Sequence, residues 1–169
     1  MKFKKIIIGM VIAALAFGAV ACTKNDDNSS GNVQQEQDKK ELTGSLEEIM
    51  ASIYEGVDEE MPKVQNTPLT DENVAYFAGI EKLDGAEGLA SEALIGSIAH
   101  SVVLVKAKEG TDIEALKTEM KEKVDPRKWI CVGVEREEVI VDNIGNTIIM
   151  IIDGTVADKI HESFLALAK

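Results

Sequence analysis

Ser101-Val102-Val103-Leu104-Val105-Lys106-Ala107 is a β-branched, aliphatic run closed by Glu109-Gly110. It is too short for a buried helix and rich in the residues that suit a pleated surface, so it reads as a central strand. Thr111-Asp112-Ile113-Glu114 follows as a capping box, and Ile113, Leu116, Met120 and Val124 then mark one helix face until Asp125-Pro126 stops it. Further on, Val139 to Val141 and Thr147 to Ile152 are strand-like and flank the turn-rich Asp142-Asn143-Ile144-Gly145-Asn146, which predicts a hairpin. Thr155 and Asp158 are placed to cap a last helix carrying Val156, Ile160, Phe164 and Leu167 on one side.

Working back from the strand, Ile80 to Gly96 is rich in glycine and alanine and fits either a short helix or a strand. A helix from Thr70 to about Gly79 is expected, with Leu69 and Val74 stapled across its cap, preceded by a proline-containing acidic loop from Val57 to Pro68. Ser45-Leu46-Glu47-Glu48 is a second capping box, and Leu46, Ile49, Met50, Ile53 and Val57 recur at helical spacing toward Gly56. Strands and helices alternate irregularly around at least one hairpin. The fold class that follows is α+β, a small, mostly antiparallel sheet with helices packed on it.

The chain begins Met1-Lys2-Phe3-Lys4-Lys5, continues uncharged from Ile6 to Ala21 for 16 residues, and reaches Cys22. A basic start, an apolar middle and small residues at the end are the layout of an export signal. The apolar stretch is shorter than the roughly 20 residues a bilayer-spanning helix needs. Ala19-Val20-Ala21-Cys22 resembles a bacterial lipobox, with alanine where leucine is usual. That resemblance implies a diacylglyceryl group on the Cys22 thiol and cleavage before it, with ordinary secretion after Ala21 as the competing reading. Two acyl chains hold a protein stably where one does so only marginally. The polar segment from Thr23 to Thr43 reads as a flexible linker. The expected organisation is thus a signal peptide over 1–21, lipidated Cys22 and linker over 22–43, and one domain over 44–169.

Removing the leader leaves 15 basic residues against 30 acidic ones, a net charge near −15. Such a surface repels phosphate backbones and anionic headgroups, which argues against nucleic-acid binding and electrostatic adsorption to a membrane. With Cys22 lipidated, Cys131 is the remaining thiol and no intrachain disulfide forms. Its setting in Trp129-Ile130-Cys131-Val132 predicts a buried cysteine acting as a small core hydrophobe.

Motifs tied to chemistry are sparse. His100 and His161 lie in no HExxH or CxxC pattern, so neither a metal nor a cofactor is expected. No GxSxG elbow, SxxK or phosphate-binding glycine loop occurs, and His100 and Ser101 are strand neighbours whose side chains point to opposite faces. No catalytic residue is therefore assigned and the chain reads as a non-enzyme. Arg127-Lys128-Trp129, after the Asp125-Pro126 stop, is the densest candidate for partner binding, since Trp and Arg anchor interfaces. The competing reading folds Trp129 into the core and uses the two cations to neutralise carboxylates at the helix end.

Asn73-Val74-Ala75-Tyr76-Phe77, Ala90-Ser91-Glu92, Ala99 to Val105, Asp125 to Val132 and Asn143-Ile144-Gly145-Asn146 together resemble a family of lipoproteins of Gram-positive, clostridial-type anaerobes built on a domain of unknown function. The resemblance spans roughly Leu46 to Leu167. It implies an extracytoplasmic, lipid-anchored domain and carries no activity or catalytic residue with it. The expected role is a non-catalytic accessory or binding lipoprotein of the cell envelope, attached to the membrane through Cys22 and acting on an envelope protein partner. A small-molecule receptor component and an unrecognised hydrolase are the alternatives.

Overall fold

The computed structural model describes residues 41–168; the export signal, Cys22 and most of the linker read from the sequence lie outside the described residues. The elements run α1 (Leu46–Glu55), β1 (Val64–Pro68), α2 (Val74–Ala78), β2 (Glu87–Ala93), β3 (His100–Lys106), α3 (Ile113–Lys123), β4 (Ile140–Ile144), β5 (Thr147–Asp153) and α4 (Ala157–Ala166), with a 3-10 turn at Arg136–Glu138. All strand pairs are antiparallel and the order is β1-β2-β3-β5-β4, so the aliphatic run around Val103 lies at the centre of an α+β fold.

Both faces of the sheet are covered. Alternate residues of the central strands, Val102 and Leu104 with Ile149 and Ile151, pack under Met50, Ile53, Ile160 and Phe164 of α1 and α4. The intervening Val103 and Val105 with Ile148, Met150 and Ile152 pack under Val74 and Ala78 of α2 and Met120 of α3. A strand covered on both sides needs no polar alternation, which is why β5 reads as Ile148-Ile149-Met150-Ile151-Ile152 and every one of its residues is buried.

The local signals set the helix ends. The Ser45 capping box forms as expected, with Glu48 N–H donating to Ser45 Oγ at 3.2 Å and Ser45 N–H to Glu48 Oε2 at 2.9 Å. At α3 the cap is one residue later than the sequence suggests: Asp112 accepts from Ala115 N–H at 3.1 Å, leaving Thr111 outside. The helix expected from Thr70 is regular only over Val74–Ala78, because the preceding residues form turns closed by Asn73 Oδ1 on Thr70 N–H. It ends at Gly79, whose φ of 75° is left-handed and whose α-carbon lies against the Lys123–Val124 backbone, so any side chain there would collide with the end of α3. Leu42, assigned to the linker above, is a correction: it is buried against α1, so the folded unit begins before residue 44.

The segment Val57 to Pro68, expected to be a loop throughout, ends in strand β1. Leu94 N–H bonds to Lys63 C=O at 2.9 Å and Leu69 N–H to Gly88 C=O at 2.8 Å. By the alternation of an antiparallel ladder, Val64, Asn66 and Pro68 therefore direct their main-chain groups outward. Pro68 has no N–H, so a proline occupies an edge position where no ladder bond is lost. At the other edge, Gly145-Asn146 is a two-residue turn with φ of 57° at Gly145, the positive-φ pattern of a type II′ hairpin. Such a turn makes Ile144 and Thr147 a bonded pair, which leaves Val141 and Asn143 facing out. Asn143 N–H is taken by Asp142 Oδ1 at 2.8 Å.

Candidate functional site

Sheet register brings together residues that are distant in sequence. His100 opens β3 and lies directly opposite Asp153 at the end of β5. His100 Nδ1 donates to Asp153 Oδ2 at 2.7 Å, and the Tyr54 hydroxyl, from the last turn of α1, lies 3.0 Å from Nε2. Asp153 Oδ1 accepts from Thr155 N–H at 2.6 Å, Val156 N–H at 2.7 Å and Thr155 Oγ1 at 3.0 Å. Asp153 thus closes the turn before α4, whose N-cap position is Val156 with no side-chain cap, so the capping expected from Thr155 and Asp158 does not form. Burial alone would raise the Asp153 carboxyl, but the bonds from His100, Val156 and Thr155 outweigh it and hold the group below its ordinary value.

Burial pushes the Tyr54 hydroxyl up to about 12; Ser91 works against this without forming an aligned hydrogen bond, and the Asp153 charge adds to it. A hydroxyl, an imidazole and a carboxylate in sequence is the order of a nucleophilic triad. A phenol held that high keeps its proton and acts as a donor, so the chain of bonds joins α1, β3, β5 and α4. Ser101 points to the opposite face, as strand alternation requires.

On that opposite face, Lys128 is buried with its side chain 3 % exposed, paired with Glu92 of β2 and 3.5 Å from Ser101 Oγ. Its ammonium lies 4.6 Å from the ring centre of Tyr76 and 5.3 Å from those of Phe77 and Trp129. Three rings and a carboxylate around one ammonium are the elements of a cation–π cage, here filled by the chain's own lysine. Desolvation lowers the Lys128 pKa, while Glu92 and Asp125 act to raise it.

Lys128 thereby ties the segment after α3 to the sheet and sets where that segment exposes its side chains. Arg127 is exposed and paired with Glu135, and Trp129 is half-buried against the α2–α3 face. Ile130 is 74 % exposed, and its N–H bonds to Gly96 C=O at 3.0 Å in the β2–β3 connection. Cys131 follows at φ 62°, a left-handed turn that swings the thiol outward, so the expectation of a buried cysteine is corrected to an exposed one. The two joined loops place Ile130 beside Leu94 and Ile95, each 59 % exposed, and Ile98 at 38 %. No charged residue lies between Ala93 and Ala99 or between Trp129 and Val134, in a sequence that is 28 % charged. That gap in the charge pattern is the sequence signal for this apolar tip, which adjoins Arg127, Lys128 and Trp129, the partner-binding candidates read from the sequence.

Elsewhere, His161 Nε2 lies 2.7 Å from Asp142 Oδ2, and Lys117 reaches Glu114 and Asn143 at 2.9 Å, covering the β4 edge from both helical layers. Burial would raise the Asp142 carboxyl, but His161, the Asn143 N–H and Lys117 bring it below its ordinary value. A cavity of about 430 Å³ lies between the 80–86 segment, the end of β3 and α3, lined by Ile80, Leu83, Val105 and Leu116 with Glu81 and Glu119. Among the described residues, no three or more His, Cys, Asp or Glu side chains are grouped to hold a metal ion, and no helix is long and apolar enough to cross a membrane. Compared with protein-family models, with curated proteins and with solved structures, the chain matches none.

Proposed function

We propose that this chain is an extracytoplasmic lipoprotein, anchored to the membrane through Cys22, that serves as a non-catalytic accessory or binding protein of the cell envelope. The observation that carries the reading is the apolar tip. An acidic protein that keeps charge out of two adjoining loops and leaves four aliphatic side chains in solvent has a surface suited to being covered. The inward bonding of Tyr54, His100, Asp153, Lys128 and Glu92 supports the same reading, because these groups are engaged with one another. The anchor is tested by fractionating cells that express the native chain or Cys22→Ala. The native chain is expected in membranes with diacylglyceryl mass on a mature N-terminus at residue 22, and the variant is expected to be released. An unmodified native chain in the medium would overturn the anchor.

One observation favours a second reading, a small-molecule-binding component. The cavity beside α3 has a volume within the range of ligand sites, about 300–1,000 Å³. The residue Asp84 beside it holds a left-handed φ of 51°, a conformation that a non-glycine residue rarely adopts. A thermal-shift screen against small amines, amino acids and sugars is expected to yield a ligand whose effect Leu116→Trp removes. No stabilising ligand, or one indifferent to that substitution, would sink it.

A further inference from the structure

Going outward along β2 and β3, the last bonded pair is Glu92 with Ser101, at the level of the Lys128 cage. Beyond that level stand Leu94, Ile95, Ile98 and Ile130, so polarity is graded. The loop residues at the tip are aliphatic, Tyr76 and Trp129 surround the Lys128 cage, and the exposed Lys63, whose C=O accepts from Leu94 N–H, flanks the tip at the sheet edge. A bilayer interface is graded in the same order, with acyl chains innermost, then a belt favoured by Trp and Tyr, then charged headgroups and water. We infer that the tip inserts shallowly into the lipid surface to which the chain is anchored, with Leu94, Ile95, Ile98 and Ile130 among the acyl chains. This deepens the reading of the tip as a binding surface and rests on the anchor at Cys22.

Three considerations favour lipid over a protein groove. Protein hot spots concentrate Trp, Tyr and Arg, whereas the outermost positions here are Leu and Ile. The acidic body is repelled by anionic headgroups, so contact must be made by an uncharged projection. The third is reach: a segment the length of residues 23–40 can span up to about 3.3 Å × n, on the order of 60 Å. A seven-residue strand is about 23 Å long, so a tether of that length can follow the domain from end to end with its tip turned toward the membrane. Four partly exposed aliphatic residues give only weak, reversible insertion alone, and the lipid on Cys22 supplies the second attachment that makes it persist.

Trp129 is the only tryptophan in the chain and sits next to Ile130, so it reports on the tip without a label. The mature chain from Cys22, carrying Cys131→Ser, is coupled through the Cys22 thiol to a maleimide lipid in phosphatidylcholine vesicles with bromines placed near or far from the headgroup. Anchoring is then imposed chemically, so the result is independent of whether cells lipidate Cys22, which the fractionation above reads separately. Trp129 emission is expected to be quenched by shallow bromines. Leu94→Asp/Ile130→Asp, both at exposed positions, is expected to abolish the quenching with its urea midpoint unchanged. For the uncoupled chain, the same pair is expected to weaken vesicle partitioning by at least about tenfold. No quenching of the parent chain overturns the inference, as does quenching that survives the double substitution. Lack of quenching, together with protection of Cys131 by an envelope protein in the chain that retains this thiol, would assign the tip to a protein partner instead.

Discussion

Asp153→Ala is expected to destabilise the domain by roughly 3–5 kcal/mol, read as a lowered urea midpoint at neutral pH. The substitution leaves the Nδ1–H of a fully buried His100 without an acceptor and removes the carboxylate that Thr155 N–H and Val156 N–H donate to in the turn before α4. An unsatisfied buried donor costs about 1–3 kcal/mol and each lost turn hydrogen bond about 1 kcal/mol, and here the donor is held by a charge-assisted bond. Asp153→Asn keeps the shape and one acceptor and should fall between the two. The same carboxylate sets an acid limb. Its folded pKa lies below the unfolded one, so its contribution is fully present above the ordinary aspartate range near pH 4 and is lost as pH falls through that range toward the folded value. Asp142 has the same sign, so both side chains favour unfolding in acid. Midpoints measured from pH 7 to 2 should fall less steeply for Asp153→Asn than for the parent; an identical slope would refute the assignment.

Lys128→Met is expected to cost about 3 kcal/mol, since removing one partner of a buried ion pair strands the other. Glu92 lies at the root of the tip, Lys128 is the one cation paired to it among the described residues, and its Oε1 is shielded from solvent. Lys128→Met/Glu92→Leu should recover most of the loss, because replacing both charges by apolar groups is often neutral. Additive losses in that cycle would show that the pair contributes no coupling. A loosened Lys128 should also free the 129–134 segment, seen as faster backbone hydrogen exchange at Ile130.

The elements legible in the sequence are those whose cause is local. Ser45 and Glu48 are three residues apart and complete their box without help from the rest of the chain, and β3 announces itself by composition. By contrast β1, Val64-Gln65-Asn66-Thr67-Pro68, is a polar edge with neither alternation nor a hydrophobic run, and its proline looks like a strand breaker until the outward direction of its nitrogen is known. The strand β2 is made of small residues whose partners on either side define it. Register likewise hides the Tyr54–His100–Asp153 chain, since residues 46 and 53 positions apart meet only once strands β3 and β5 are aligned. The Lys128 cage combines α2, β2 and the segment after α3, three pieces that no motif links.

The two edges of the sheet bear on the anchored state proposed above. Confinement to two dimensions raises the rate at which identical copies meet, and an open strand would let each encounter add the next chain to a growing ribbon. Pro68 on one margin and Asn143, its N–H taken by Asp142, on the other each withhold one outward donor, so a neighbour would meet an interrupted row of main-chain groups on either edge. Each edge is thus interrupted at one position, which shortens the strand a second copy could add there.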